Sequence, residues 1–234
     1  MVNTFSEKIF NCCFDHRKTL DASVSQTEIP GIYDSLSKIY DIWGNLTESH
    51  ARNRALELAE IKNGQHILEV AVGTGLAFYE IVKRNPDGTN IGVDISEGML
   101  KRAKERLRKL SGVNYELKIG NAFRLEEEDA HFDVLINNYM FDLISFDQMD
   151  AVLKEFKRVL KKKGKLVIVN MTVGENFGSK IYDFLYRLSP KMMGGCRGIR
   201  LSKKLQDHGF DVKLREYYQQ LLLPSEVILA KKWS

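Results

Sequence analysis

From residue 66 onward this chain is built from five short apolar runs separated by amphipathic segments, and two further runs at its end leave no room for a helix between them. The runs are "HILEVAV" (66–72), "NIGVDI" (90–95), "VNYELKI" (113–119), "FDVLIN" (132–137) and "KLVIVNM" (165–171). Helical spacing of apolar residues predicts helices over 76–84, after Ser96, over 147–160 and near 201–208. Ser96 is placed to cap the second of these, with Glu97 in its first turn. Strands this apolar, alternating with helices, imply a parallel sheet covered by helices on both faces. The unbroken Leu166-Val167-Ile168-Val169 suits a strand buried on both sides. "GFDVKLREYY" (209–218) and "PSEVILAKKW" (224–233) are joined by too little chain for a crossover, so they form an antiparallel hairpin. Upstream, residues 32–44 and 51–60 read as two helices, following a mixed polar and aromatic segment that ends at Ile29-Pro30-Gly31. The domain reading is therefore a helical lid over 1–50 and an α/β domain over 51–234, with an insertion at about 172–200.

Composition removes several classes of function. The 234 residues suffice for a single domain with a sizeable core, and no apolar run approaches the roughly 20 residues that span a bilayer. The start lacks a basic region followed by a long apolar stretch, so the expected home is the cytoplasm. Cys12, Cys13 and Cys196 are too few and too unevenly spaced for a disulfide framework. A net charge of +4, from 35 basic and 31 acidic residues, does not argue for nucleic acid. The basic clusters at 101–109 and 161–165 read as a solvated helix face and a turn.

Chemistry enters at "EVAVGTGL", residues 69–76. Glycines between a strand and a helix let the backbone approach a ligand where helix amides point outward, at the carboxyl end of the strands. Asp94 ends the next strand, 19 residues past Gly75, and suits a ribose diol. A dinucleotide would favour a third glycine where Phe78 stands, and the Glu69 carboxylate would repel a pyrophosphate. An adenosine cofactor with a cationic amino group and no phosphate fits better. S-adenosylmethionine is such a cofactor.

"EVAVGTG" resembles the first motif of class I S-adenosylmethionine-dependent methyltransferases, with Ala71 where many members have glycine. "VDISEGML" is similar to the second motif, and "EFKRVLKKKGKLVIVNMT" resembles the fifth-strand block, with Lys163 in place of a proline. The Ala-x-Gly-Thr-Gly form and the upstream "YDSLSKIYDIW" look most like the ubiquinone/menaquinone-biosynthesis and lipid methyltransferase group. The resemblance implies a Rossmann-like doubly wound sheet, mostly parallel with an antiparallel C-terminal hairpin. It implies that Glu69, Ala71, Gly73, Thr74 and Gly75 cradle the methionine end and that Asp94 binds the ribose. Ile95, Met99, Asn121, Ala122 and Phe123 would surround the adenine, and Asn137 would lie near the methionine carboxylate or the methyl group. Tyr33 and Tyr40 would close over the cofactor.

Methyl transfer from a sulfonium is an in-line displacement, so the protein mainly supplies alignment, with a base only where the acceptor must lose a proton. Candidate bases are Asp142 and Tyr139, with His16 and His50 from the lid; Asp142 as a helix cap and Tyr139 as packing are the bland alternatives. "NNYM" at 137–140 lacks the prolines of the Asn-Pro-Pro-Tyr motif of DNA and protein-glutamine methyltransferases. The acceptor should meet residues 1–50 and the aromatic, Met- and Gly-rich insertion, which suits a small apolar or aromatic molecule of quinol or lipid type. Arg197 and Arg200 would hold an acidic group on the acceptor or lie on the surface. No metal and no nucleic acid are expected, and peripheral contact with a membrane stays open. The alternatives are a non-catalytic cofactor-binding subunit and a metalloid methyltransferase using Cys12, Cys13 and Cys196, with a nicotinamide oxidoreductase as the third choice.

Overall fold

The computed structural model describes residues 48–173, 197–221 and 223–233. Tyr33, Tyr40, His16, the three cysteines, the helix expected at 32–44 and most of the 172–200 insertion lie outside the described residues.

The described chain runs α1 (Ser49–Ala59), β1 (His66–Val70), α2 (Leu76–Arg84), β2 (Thr89–Asp94), α3 (Glu97–Leu107), β3 (Glu116–Ile119) and β4 (Phe132–Asn138). A short 3₁₀ turn (Phe141–Leu143) follows, then α4 (Met149–Val159), β5 (Leu160–Met171), α5 (Ser202–Asp207), β6 (Phe210–Gln220) and β7 (Leu223–Lys232). The strands form one seven-stranded sheet in the order β3-β2-β1-β4-β5-β7-β6. Pairing is parallel from β3 to β5, while β7 lies antiparallel to both β5 and β6. The doubly wound sheet and its antiparallel hairpin are as expected from the sequence.

Two apolar layers sandwich the sheet. On one side α1, α2 and α3 contribute Ala55, Phe78, Ile81, Ala103 and Leu107; on the other α4 and α5 contribute Val152, Phe156, Val159 and Leu205. Helix α4 shows why its segment folds there. Met149, Val152, Leu153, Phe156 and Val159 recur on one stripe and are fully buried, at about 1.5–3 kcal/mol for each large side chain. Helix α3 starts where Ser96 Oγ accepts the Met99 amide at 3.1 Å, the cap its sequence called for.

Two expectations needed adjustment. The turn expected at 161–165 is an irregularity inside β5: pairing with β4 jumps from Phe132–Leu160 to Val134–Lys165, and Lys163 takes the left-handed conformation at φ 63°. The strand expected from residue 113 forms only over Glu116–Ile119, because it is the sheet edge with one hydrogen-bonded neighbour.

At the amino ends of the strands, Asn85 Oδ1 accepts from the amides of Gly64 and Gln65 at 2.7 and 3.2 Å, and its Nδ2 donates to Asn90 Oδ1 at 2.9 Å. Near the carboxyl end of β5, buried Glu226 of β7 accepts from Arg215 Nε at 2.5 Å, Asn170 Nδ2 at 3.1 Å and the Leu201 amide at 3.2 Å. Asn85 and Glu226 thereby satisfy the amides of Gly64, Gln65 and Leu201, which the sheet leaves open.

His66 Nδ1 and His131 Nε2 lie 3.0 Å apart, a contact that needs one donor and one acceptor. Burial, then the charge of Lys161 and the neighbouring His131, holds His66 below its ordinary value. A depressed histidine contributes stability that is present above its unfolded value of about 6.5 and is lost as pH falls below it. Melting temperature should therefore drop as pH falls from 7 toward 5.5, and His66→Gln should flatten that decline. An unchanged slope in the variant would exclude the pair as its source.

Candidate active site

The loop after β1 is shaped by three left-handed residues: Ala71 at φ 61°, Gly73 at 57° and Gly75 at 79°. The loop amides are held from several sides: Ala71 and Val72 donate to the Val93 carbonyl at 2.8 and 3.2 Å, and Gly75 donates to the Val72 carbonyl at 3.0 Å. The two glycines serve different ends. A Cβ on Gly73 would meet no atom of the described residues within 4 Å, whereas one on Gly75 would lie 2.9 Å from Ala103 Cβ and 3.0 Å from its Cα. Gly73 faces open space, while Gly75 lets α2 pack against α3. Helix α3 also grips the loop directly, through Arg106 Nε donating to the Thr74 carbonyl at 2.9 Å.

Asp94, at the end of β2, closes the loop from the far side. Its Oδ2 accepts the Gly73 amide at 2.7 Å and its Oδ1 accepts the Ser96 amide at 2.9 Å. Between these elements lies a cleft of about 880 Å³ of empty space, counting its open mouth. Its polar residues are Asp94, Ser96, Asn121 and Asn138, and most of the wall is apolar.

Of the residues singled out from the sequence, Ala71, Gly73, Asp94, Ile95, Met99, Asn121, Ala122, Phe123 and Tyr139 line this cleft. Ile95 is 45% exposed at the rim, and Met99 is buried opposite. Asn121 is exposed, with Oδ1 accepting the Phe123 amide at 3.0 Å, which holds Ala122 and Phe123 in the wall. Glu69, Thr74, Gly75, Asn137 and Asp142 are outside the lining. Asn137 points to the opposite face, where its Nδ2 donates to the Val70 carbonyl at 2.8 Å. The neighbour Asn138, which the sequence reading passed over, lines the cleft instead and donates from Nδ2 to Glu69 Oε1 at 3.0 Å.

Glu69 is 1% exposed, and burial pushes its pKa up to about 8 against the lowering effect of Asn138. Its Oε2 and the Oδ1 of Asn138 are buried and have no hydrogen-bond partner among the described residues. Once the Glu69 carboxyl is ionised, the two oxygens are acceptors that ask for a ligand that donates, and a protonated amine both donates and favours that ionisation. This acceptor pair therefore suits the amino group of S-adenosylmethionine and does not suit a pyrophosphate.

Both candidate bases, Asp142 and Tyr139, are buried. Asp142 is buried in the 3₁₀ turn, its carbonyl accepting from Arg197 Nη1 at 3.0 Å. Tyr139 lines the cleft in a left-handed conformation at φ 51°, but its hydroxyl pairs with Ser225 Oγ at 2.9 Å. Burial raises its pKa well above that of a free phenol, so it keeps its proton. Arg197 is buried and committed to the carbonyls of Asp142 and Ile144, with its guanidinium 4.8 Å from the Phe146 ring centre. It braces the lip carrying Leu143 and Ile144, where a role in holding an acidic acceptor was one expectation. His50 lies in the first turn of α1 on the surface, its amide donating to Gln220 Oε1 at 3.0 Å. Among the described residues no cluster of three or more metal-ligating side chains occurs, and no helix is long and apolar enough to cross a membrane.

Known proteins resemble this chain in sequence and fold. The chain is 29% identical over 170 residues to a demethylmenaquinone methyltransferase of Thermotoga maritima, covering 70% of this chain and 71% of that one. It is 29% identical over 191 residues to a ubiquinone/menaquinone biosynthesis C-methyltransferase of Hydrogenovibrio crunogenus, covering 75% and 74%. Its fold matches a solved S-adenosylmethionine-dependent methyltransferase of Methanosarcina mazei with a TM-score of 0.61 at 20% identity, covering 74% of this chain and 94% of that one. The family model described as "Methyltransferase domain" matches residues 61–213, the glycine loop, Asp94 and the β4 rim included. The chain belongs to the methyltransferase-domain family and is an S-adenosylmethionine-dependent methyltransferase.

Proposed function

We propose that the acceptor is a small aromatic or lipid-like molecule of the quinol type, methylated on carbon. The observation that carries this reading is the names of the curated relatives, a demethylmenaquinone methyltransferase and a ubiquinone/menaquinone C-methyltransferase. The lip of the cleft agrees with them: Met140, Leu143 and Ile144 form an apolar wall, and the nearby Arg197 is committed to backbone carbonyls. An apolar acceptor needs no counter-charge there.

When bound, S-adenosylmethionine supplies a methyl group already activated on sulfur. Gly73 and the Glu69–Asn138 pair would hold its methionine end, Asp94 its ribose, and Met99, Ala122 and Phe123 its adenine. The chain's own part is orientation and exclusion of water at the apolar lip. Tyr139 retains its proton and packs, so a quinol bearing its own ionisable hydroxyl suits this site better than an acceptor that needs a strong base. A cytoplasmic enzyme meeting such an acceptor at a membrane surface completes the reading.

The test is product formation, followed by mass spectrometry, with a short-chain demethylated naphthoquinol, a fatty acid and an amino-acid carboxylate supplied separately under reducing conditions. Methylation of the quinol in preference to both acids is expected. Turnover confined to a carboxylate acceptor would overturn the proposal and leave the methyltransferase assignment intact.

A further inference from the structure

His66 opens β1, and His131 stands just ahead of β4, the strand that pairs with β1, so the sheet brings together two imidazoles 65 residues apart in the chain. They lie at the amino ends of these strands, at the opposite end of the sheet from the cleft. Nδ1 of His66 and Nε2 of His131 face each other at 3.0 Å, with ring centres 4.7 Å apart and ring planes at 78°. The Phe132 ring packs edge-on against His131 at 5.0 Å, so that imidazole is held between two rings. Both histidines are half-buried, which steadies the rings and leaves them within reach of an ion from solvent.

The charged groups around the pair come from three places. Asp133 of β4 accepts the His66 amide at 2.9 Å through Oδ2, and its Oδ1 pairs with Lys161 Nζ of β5 at 2.8 Å. Glu128, ahead of β4, brings Oε2 to 3.8 Å from Nδ1 of His131. Asp133 offsets the charge of Lys161, and Glu128 then leaves the surroundings of the pair favourable to a cation.

Two facing imidazoles can be used in two ways. A hydrogen bond needs one ring to donate and the other to accept. A metal ion needs a lone pair from each ring, and a tautomer change supplies it: the hydrogen between the rings moves to the far nitrogen of its own ring. Glu128 beside Nδ1 of His131 favours a hydrogen there and leaves Nε2 as the ligand. The outer torsion of a histidine is broad, so a small turn of each ring aims both nitrogens at one point. The spacing then selects the ion. Metal–imidazole bonds are about 2.0–2.1 Å long, so nitrogens 3.0 Å apart subtend about 95° at the metal. That is close to the angle between neighbouring positions of a square or octahedral complex, as Cu(II) and Ni(II) form, and it falls short of the tetrahedral angle of Zn(II) sites.

We infer that His66 and His131 form a chelating site for a divalent transition-metal ion of the nickel or copper type, with water in the remaining positions. The ion ties the start of β1 to the start of β4. An unfolded chain separates the two ligands by 65 residues, so binding favours the folded protein.

The test is titration of the untagged full chain with nickel chloride at pH 7.5, in a buffer that does not chelate. One equivalent assigned to the pair is expected, lost in His66→Gln and equally in His131→Gln. His208→Gln should keep it, because that imidazole serves the Lys204 carbonyl and Asp150. At a free concentration a hundredfold above the dissociation constant, Ni(II) should raise the melting temperature of the unaltered chain by about 5–10 °C, and neither pair variant should show that rise. In the unaltered chain, substoichiometric Ni(II) should broaden the ring-proton NMR signals of His66 and His131 ahead of those of the other three of the five histidines. This reading does not depend on how a variant folds. Broadening that spares the pair, or a nickel-dependent rise in melting temperature that survives in either pair variant, would overturn the inference and leave the facing imidazoles as a hydrogen bond only.

Discussion

Gly75→Val should lower the melting temperature by about 6–12 °C, and Gly73→Ala by only about 3–6 °C, although both residues belong to one short motif. At Gly75 the added carbon would lie 2.9 Å from Ala103 Cβ at a φ of 79°. Overpacking of about 1–3 kcal/mol adds to a left-handed penalty of about 1–2 kcal/mol, roughly 3 kcal/mol together. In a chain of this size 1 kcal/mol moves the midpoint by about 2–4 °C. At Gly73 the backbone penalty stands alone, because no atom of the described residues lies within 4 Å of the new carbon. That carbon would instead take up room in the cleft that Gly73 lines, so Gly73→Ala should weaken S-adenosylmethionine binding about tenfold or more in a folded protein. Scanning calorimetry and titration on the two variants read the two effects apart. Equal losses of stability would show that the loop is not divided between packing and ligand approach.

Asp94→Ala should weaken S-adenosylmethionine binding by at least about 100-fold. The carboxylate is 8% exposed and lines the cleft while accepting two loop amides at 2.7 and 2.9 Å. Its oxygens have further lone pairs for a ribose diol, and each hydrogen bond to a charged group is worth about 1.5–3 kcal/mol. Removing it takes away both the ribose contacts and the pin that holds Gly73 in place. Asp94→Asn, with one acceptor oxygen left, should fall between. Titration calorimetry with a circular-dichroism melt as the folding control decides the matter. A folded Asp94→Ala that binds within tenfold of the unaltered protein would put the ribose elsewhere.

Much of the site was legible in the chain because its signals are local. Ser96 caps α3 through its own third neighbour, and Gly73 and Asp94 stand at strand ends that apolar runs mark plainly. Asn138 was not legible, and the reason is parity. β4 is buried on both faces, so "FDVLINN" shows no alternation that would tell which of Asn137 and Asn138 faces the helices of one layer or the other. Only the register with β1 places Asn138 beside Glu69 and turns Asn137 toward the Val70 carbonyl. The same limit applies to Tyr139, whose ring could be assigned to the site from its position but whose hydroxyl partner, Ser225, lies 86 residues away.

The sequence by itself therefore determined the alternating sheet, the hairpin that ends it, the glycine loop and the acid after β2. Each follows from apolar periodicity or from backbone conformations that few residues allow. The tertiary structure decided which glycine packs and which faces the ligand, which asparagine enters the cleft, and that Arg197 braces its lip. Those outcomes depend on distances between strands and helices far apart in the chain, and no local pattern encodes them.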